Sequence, residues 1–419
     1  MRRGSEKTMK PTIHLSTRSW TRRDVLRACM CGIGAGALNG MPLVFSRARA
    51  ADATASNRIL VVLELSGGND GLNTLVPYGD DAYYRHRPRI GIRPEKLRRI
   101  DERFGFNPGM AGFEGLYKDG RMAVVHGCGY AQPSFSHFTS MAYWHTGAPN
   151  SGEETGWVGR LADAIDPQPT PNFIVNIDEA QSLAVSARNH VPVVFDDPER
   201  FGRKGLYQTR PLLDQVSDAA HDANPSRRYL LEVAKSAREA SQLVRDAWAK
   251  YKTPVDYGIV PVDLPKIASL IAAGMPTRLY YTSYRHNAFD THVQQPDLHQ
   301  RLLTYVSDSV AGFMKDMQRI GRADDVVMLV FSEFGRRVPE NTSLGTDHGT
   351  ANYIYLIGKP VKGGHYGTPP KLDALDEGDN LVFTTDFRRV YASIIEGWLG
   401  YRDTRKLLSG NFETFPIFG

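Results

Sequence analysis

Cysteine is scarce in this chain of 419 residues, which contains three: Cys29, Cys31 and Cys128. The first two lie within residues 1–50, a segment that we expect to be removed from the mature protein. A mature chain with one remaining cysteine cannot form an intrachain disulfide, even in an oxidising compartment. The scarcity therefore excludes a fold held together by disulfides.

Long apolar runs are also missing near the N-terminus. The weakly apolar stretch at residues 28–44 is 17 residues long and rich in glycine and alanine, which is the short limit for crossing a bilayer. A twin-arginine motif precedes it (TRRDVLR, residues 21–27, with Val25 where phenylalanine is more usual), and an A-x-A cleavage site follows it at residues 48–50. We interpret residues 1–50 as a twin-arginine signal peptide, with a membrane anchor as the weaker alternative.

The signal peptide implies a destination and one partner. We expect recognition by the twin-arginine export machinery, a periplasmic or extracellular location, and no stable membrane span after cleavage. Arg27, directly before Ala28 and Cys29, argues against a lipoprotein signal.

An excess of basic charge is missing from the mature chain. The whole sequence holds 51 basic and 46 acidic residues, but residues 1–50 account for ten of the basic and two of the acidic ones. The mature part therefore has 41 basic and 44 acidic residues, a net charge of −3. This balance gives no support to nucleic-acid binding.

Short apolar runs alternate with helical patterns along the mature chain. Strands are predicted at residues 58–65, 122–126, 172–177, 191–195, 277–283, 325–331 and 352–357, and helices at residues 136–146, 156–165, 226–251, 298–320 and 386–399. The alternation predicts an α/β fold with a mostly parallel central sheet and helices on both faces. We expect one domain over residues 51–419 with a helical insertion around residues 199–260. The apolar stripe of helix 226–251 indicates either core packing or a partner helix.

A glycine-rich loop follows the first predicted strand, with the sequence GGNDG at residues 67–71. It leaves Asp70 at the strand exit, where a carboxylate can bind a metal ion. A plain turn is the alternative. The spacing differs from the G-x-G-x-x-G of dinucleotide-binding loops, which disfavours a nucleotide-dependent oxidoreductase.

Asp290 and His292 follow the predicted strand at residues 277–283 and are two residues apart. A carboxylate and an imidazole at this spacing on a loop can chelate one ion. The alternative is a turn aspartate beside a surface histidine. His286 and His299 lie close in sequence, so they compete with His292 as the histidine ligand.

The stretch after the predicted strand 325–331 combines Glu333 at the strand exit with the adjacent pair Asp347 and His348 on a loop bounded by glycines. Two carboxylates and an imidazole supply hard oxygen and borderline nitrogen ligands for a catalytic metal. Arg336 could bind a phosphate or sulfate group through two hydrogen bonds, or it could pair with a carboxylate in a structural role.

Ser136 and His137 open the predicted helix 136–146, where free backbone N–H groups and the helix dipole favour an anionic group. Either side chain could be a nucleophile or a metal ligand, and a simple N-cap serine is the alternative. His365, in a glycine-rich turn, is a weaker candidate for the site.

The motifs GGNDGLN, SFSHF, TGWVGRL, FDTH, FSEFGRR and GTDHG together resemble the domain of unknown function 1501 family, in the same order and over nearly all of the mature chain. That family is in turn similar to the alkaline-phosphatase-like superfamily of phosphatases, sulfatases and phosphomutases. The resemblance implies an alkaline-phosphatase-like fold and one or two divalent metal ions (Zn, Mn, Ca or Mg). It also implies a nucleophile at the start of the helix after the second strand.

The resemblance places Asp70 at the aspartate after the first strand, and Asp290 and His292 in one metal site. Aligning the WHTG stretch at residues 144–147 puts His137 rather than Ser136 at the nucleophile. Two registers remain for the last ligands. One uses Asp347 and His348 with His365 as the late histidine.

The other register, which we prefer, puts Glu333 at the strand-exit acid, with Phe334 where the superfamily has a histidine and His348 as the late histidine. The sequence therefore predicts an exported metal-dependent hydrolase of a small-molecule or polymer phosphate or sulfate ester. The alternative is an exported, metal-stabilised binding or assembly protein that lacks catalysis. The candidate metal ligands are Asp70, Asp290, His292, Glu333, Asp347 and His348, and the candidate catalytic residues are Ser136, His137 and Arg336.

Overall fold

The computed structural model describes residues 57–201 and 240–418. Its strands are β1 Ile59–Leu65, β2 Leu75–Val76, β3 Arg98–Arg99, β4 Gly105–Phe106, β5 Met122–Gly129, β6 Ile174–Ile177, β7 Val193–Phe195, β8 Leu279–Tyr284, β9 Val326–Phe331, β10 Asn352–Ile357, β11 Gly364–Tyr366 and β12 Thr385–Asp386. Its α-helices are α1 Gly71–Thr74, α2 Asp81–His86, α3 Ala111–Lys118, α4 His137–Thr146, α5 Trp157–Ile165, α6 Leu264–Ala272, α7 Gln295–Arg319, α8 Arg388–Ser393 and α9 Thr404–Leu408.

Three helical elements that are not α-helices and one partly described helix complete the list. Pro94–Lys96 and Leu183–Val185 are 3-10 turns, and Ile394–Trp398 continues α8 as a π-helix. Residues 240–250 are the described part of a further helix. None of the helices in residues 57–201 and 240–418 is long and apolar enough to cross a membrane.

The main sheet has the strand order β11-β5-β10-β9-β1-β8-β6-β7, and β12 also pairs with β5. β1 runs parallel to both of its neighbours, with Val61 opposite Tyr280 of β8 and Met328 of β9. β10 runs antiparallel to β9 and β5, whereas the β6–β7 and β6–β8 pairs are parallel. The carboxyl ends of β1, β8 and β9 therefore meet at one edge, where ligands bind in open α/β sheets.

Alternate residues of β1 face two separate cores, which explains its unbroken apolar run. Val61 and Leu63 belong to the core covered by α3, α6 and α7, while Leu60 and Val62 belong to the core covered by α5, α8 and α9. β2, β4 and β3 form a second, small antiparallel sheet.

The predicted fold class, a mostly parallel sheet with helices on both faces, is confirmed. Each of the seven predicted strands is present within three residues of its expected bounds. The sequence reasoning did not identify α3, α6 or the small sheet. The predicted C-terminal helix at residues 386–399 is shorter, because β12 occupies its start and the helix changes to π geometry after Ser393.

The signal peptide and residues 202–239 lie outside the described residues, and so does most of the predicted insertion. For the described part of the predicted helix 226–251, the alternative of core packing is favoured. Ala240, Val244 and Ala247 are buried in the core that also contains Val61.

Candidate metal site

Polar side chains from the loops after β8 and β9 meet at the carboxyl edge of the sheet. Asp290 and His292 come from the first loop, and Glu333 and His348 come from the second. His137, the first residue of α4, lies against the same group. Because β8 and β9 both flank β1 in parallel, residues distant in sequence converge here.

Three donor atoms form a triangle with nearly equal sides. Asp290 Oδ1 lies 2.9 Å from His292 Nε2 and 3.1 Å from His348 Nε2, and the two imidazole nitrogens are 3.0 Å apart. In a tetrahedral zinc site with bonds of about 2.0–2.1 Å, neighbouring donor atoms lie about 3.3 Å apart. The three side chains are therefore spaced like one face of such a site. All three are partly exposed, so this face is open to solvent.

His137 brings a further nitrogen to this group. Its Nε2 atom lies 3.5 Å from Asp290 Oδ2 and has no hydrogen-bond partner among the described residues. The ligand atoms of His137, Asp290 and His348 lie within 4.8 Å of one another. This trio shares two members with the triangle, so we treat the four side chains as one site.

Each of the three imidazoles is held by an oxygen atom next to its Nδ1. The pairs are His137 with Glu333 at 2.8 Å, His348 with the carbonyl of Phe135 at 2.8 Å, and His292 with Asp347 at 3.3 Å. An oxygen acceptor beside Nδ1 favours the proton on that nitrogen, so the neutral form of each imidazole would present its Nε2 lone pair to the site. Metal-binding histidines are usually oriented in this way.

Glu333 is fully buried and orients His137. Its carboxylate accepts the backbone N–H of Gly67, at 2.9 and 3.2 Å, and the hydroxyl of Ser332 at 3.1 Å. The hydrogen bond from His137 to this carboxylate raises the pKa of the imidazole, although burial opposes the effect. The geometry thus gives Glu333 an orienting role, where the sequence predicted a metal ligand.

The guanidinium of Arg336 is buried and turned inward. It donates to the backbone carbonyls of Gly67, Gly68, Phe289 and Thr346, and at 2.7 Å to Asp290 Oδ1. Burial raises the pKa of Asp290, but Arg336 outweighs it and holds the pKa at about 2. Arg336 therefore holds a candidate ligand carboxylate in its ionised form, which is the kind of structural pairing that the sequence left open beside phosphate or sulfate binding.

Asp70 is buried beside the site and paired with an internal cation. Its Oδ2 accepts from Arg87 at 2.7 Å and from Gln295 at 2.5 Å, while Oδ1 has no partner among the described residues. Burial raises the pKa of Asp70, but the charges of Arg87 and His299 and the hydrogen bonds from Arg87 and Gln295 together lower it overall. Asp70 is not part of the trio formed by His137, Asp290 and His348.

The remaining predicted residues lie at the rim. Ser136 is exposed at the N-cap of α4, and its side chain makes no capping hydrogen bond. Asp347 is about half exposed. Burial raises its pKa, but Asn341 and His292 outweigh this and the pKa is lowered overall. His365 lies in β11 and contacts His126 at 2.7 Å and Asp101 at 2.9 Å, so the register that uses it as a ligand gains no support.

Sequence reasoning missed the groups that support the candidate ligands. The carbonyl of Phe135 and the N–H of Gly67 are backbone groups, and the identity of a residue does not show that its backbone makes such a contact. Arg87 and Gln295 are side chains whose partners lie far away in sequence. The SFSHF and GGNDG motifs were the available signals, since both flank these backbone contacts.

The sequence profile of the family described as protein of unknown function (DUF1501) matches residues 57–387. The chain belongs to this family, as its motifs indicated. No curated protein matches the chain.

Solved structures with similar folds include a sulfatase, a phosphonate monoester hydrolase and a periplasmic domain. The PsFucS1 sulfatase from Pseudoalteromonas sp. is 12% identical, with a TM-score of 0.37 over 86% of this chain and 70% of that one. The phosphonate monoester hydrolase SpPMH from Silicibacter pomeroyi is 11% identical, with a TM-score of 0.37 over 85% and 77%. The C-terminal periplasmic domain of EcEptC from Escherichia coli, in complex with Zn, is 11% identical, with a TM-score of 0.33 over 72% and 73%. Likenesses at this level do not identify an activity.

Proposed function

We propose that the protein is an exported, metal-dependent hydrolase of phosphate or sulfate esters. The main support is the triangle of Asp290, His292 and His348, which has the spacing of metal ligands and is open to solvent. Imidazole donors suit zinc or another transition metal better than calcium or magnesium, which prefer oxygen ligands. His137 completes the set of ligands.

A bound metal would supply Lewis-acid stabilisation of the charge that develops on phosphoryl or sulfuryl oxygens. The chain itself prepares the site for this charge. Arg336 keeps Asp290 ionised at physiological pH, and Glu333 orients His137. Ser136 offers a hydroxyl at the N-terminus of α4, where the helix dipole stabilises an anionic group, and we assign it as the nucleophile.

The alternative function is an exported, metal-stabilised binding or assembly protein. Phe334 favours it, because this ring lies 4.9 Å from the ring of His137 and 4.7 Å from that of His348. An apolar ring therefore occupies a place beside the ligands where the resemblance implies a histidine. Such a protein would bind metal and show no turnover.

Turnover of esters by the zinc-loaded mature protein separates the two functions. We expect hydrolysis of at least one phosphate or sulfate ester, loss of activity in the double variant Asp290→Ala/His348→Ala, and a large loss in Ser136→Ala with metal content unchanged. A metal-loaded wild-type protein that hydrolyses no ester in a broad panel would overturn the hydrolase proposal.

The proposed location rests on residues 1–50. We expect the secreted protein to begin near Ala51, which N-terminal sequencing tests. The double variant Arg22→Lys/Arg23→Lys should accumulate uncleaved inside the cell, while Arg2→Lys/Arg3→Lys, outside the motif, should be exported normally.

A further inference from the structure

Half of the exposed large apolar side chains in the described residues belong to the chain segments next to the candidate metal ligands. Among the described residues, eight large apolar side chains are exposed: Phe135, Phe138, Val191, Leu243, Ile259, Val293, Leu298 and Val382. Four of these eight belong to two short segments, residues 135–138 and 293–298. Single exposed apolar residues need no explanation, but a group of them commonly marks a binding surface.

Both segments are joined directly to the ligands. Phe138 follows His137 in α4, and the backbone carbonyl of Phe135 holds His348 at 2.8 Å. Val293 follows His292, whose Nε2 is 3.0 Å from the Nε2 of His348. The backbone segments that carry these exposed side chains therefore also carry or hold the candidate metal ligands, and we call Phe135, Phe138 and Val293 the apolar rim.

Exposure of the apolar rim is not needed for packing α4. The buried side of this helix is formed by Ser140, Trp144 and His145, whereas Phe138 is 90% exposed. A phenylalanine this exposed contributes almost nothing to the core, and its ring is available to a molecule that approaches the donors.

We infer that the ester bound at this site has an apolar organic group, aryl or alkyl, which packs on the apolar rim while its anionic group meets the metal ligands. This inference rests on the proposed function and adds the substrate class. Phe138 is then a specificity-determining residue.

Binding of stable anion analogues to the zinc-loaded mature protein tests the inference without requiring turnover. Phenylphosphonate is compared with methylphosphonate, and benzenesulfonate with methanesulfonate, by titration calorimetry. Whichever pair binds, we expect the aryl anion to bind about tenfold more tightly than the methyl anion, because part of its phenyl ring is buried. Phe138→Ala should reduce this preference to about two- to threefold, while Ile259→Ala, at an equally exposed apolar position, should leave it unchanged.

The outcomes separate the inference from the proposed function. Equal affinity for aryl and methyl anions would refute the role of the apolar rim in substrate binding. An aryl preference that is unchanged in Phe138→Ala would refute it as well. Neither result would contradict the hydrolase proposal. If the metal-loaded protein binds none of the four anions, the proposed function fails and the inference fails with it. Phe138 is so exposed that its variant should keep the wild-type thermal midpoint, which excludes misfolding as the cause.

Discussion

Asp290 organises the candidate site at the scale of single residues. Its carboxylate receives the Arg336 guanidinium at 2.7 Å and faces the Nε2 atoms of His292, His348 and His137 at 2.9, 3.1 and 3.5 Å. The ionised Asp290 carboxylate supplies the negative charge that a cation would meet here, and the imidazole nitrogens face the same point. Neighbouring residues then act by holding these groups in place.

Glu333→Gln tests whether Glu333 acts through His137. The amide is similar in shape but can present its NH₂ group to His137 and Gly67, so the imidazole loses its orientation. Loss of such a supporting carboxylate typically weakens metal affinity about 10–100-fold. Zinc affinity measured by competition with a chelating dye should fall by this factor. The control is Glu114→Gln in α3, where the carboxylate pairs with Arg98 and Lys118 away from the site. Its zinc affinity should equal that of the wild type. Unaltered affinity in Glu333→Gln would refute the orienting role.

Arg336→Met tests the structural role of the buried guanidinium. Removing it takes a donor from four backbone carbonyls, and each buried polar group left without its partner costs about 1–3 kcal/mol of stability. Arg337→Met, at the exposed neighbouring position, should change the free energy of unfolding by no more than about 0.5 kcal/mol. Urea denaturation measures both values. Equal, small effects would contradict the internal role of Arg336.

The sequence could identify most residues of the site but not their pairing. Asp290, His292 and His348 were predictable, because ligand-type residues follow apolar strands that parallel pairing brings together. Glu333 was found for the same reason, yet its orienting role depends on the position of Gly67 N–H, which no pattern shows. Asp70 was expected to be a ligand, and its pairing with Arg87 depends on the chain path through α2.

At the scale of elements, the loop after β1 is packed tightly against the site. Gly67 and Gly68 adopt φ values of +115° and +70°, and a Cβ atom on Gly68 would lie 2.1 Å from the ring of Phe334. That ring contacts both His137 and His348. The loop therefore needs glycine for its backbone and for the space that Phe334 occupies.

Gly68→Ala should impair both stability and metal binding. Gly120 has the same φ of +70° with nothing within 4 Å of its Cβ position, so Gly120→Ala shows the backbone strain alone, about 1–2 kcal/mol. Crowding against Phe334 should add about 1–3 kcal/mol in Gly68→Ala. Thermal unfolding and zinc titration of the two variants check this, and similar values in both would argue against close packing of the loop.

Elements with strong patterns were predictable, and short ones were not. β1, β9 and β10 are unbroken apolar runs because both faces of the sheet are covered. β2, β3, β4 and β12 have two residues each, too few for any periodicity to appear. β11 reads as a glycine-rich turn, and only its pairing with β5 makes it a strand.

At the scale of the whole molecule, buried histidines make stability depend on pH. Burial, with smaller effects from His365 and Arg103 and an opposing one from Asp101, lowers the pKa of His126 to about 3. The unfolded chain protonates this histidine below its ordinary pKa of about 6.5, whereas the folded chain does not until about pH 3. The unfolded state therefore binds more protons as the pH falls through this window, and stability decreases.

His126→Phe should reduce this acid sensitivity. The ring contacts with Phe104 and Tyr353 can be kept by phenylalanine, which does not titrate. Between pH 7.5 and pH 5.0 the wild-type free energy of unfolding should fall by about 2 kcal/mol more than that of the variant. Burial also lowers the pKa of His299, to about 4. Because His299 is present in both proteins, its contribution cancels in the comparison. Parallel pH profiles from urea denaturation would disprove the role of His126.

The central claim is that Asp290, His292, His348 and His137 hold a metal ion, and metal analysis of the mature protein tests it most directly. The protein is exported in its native host and purified without chelator, beside the double variant Asp290→Ala/His348→Ala. We predict about one equivalent of a transition metal in the wild type and none in the folded variant. A folded wild type that retains no metal, and takes up none from added zinc, would contradict the account.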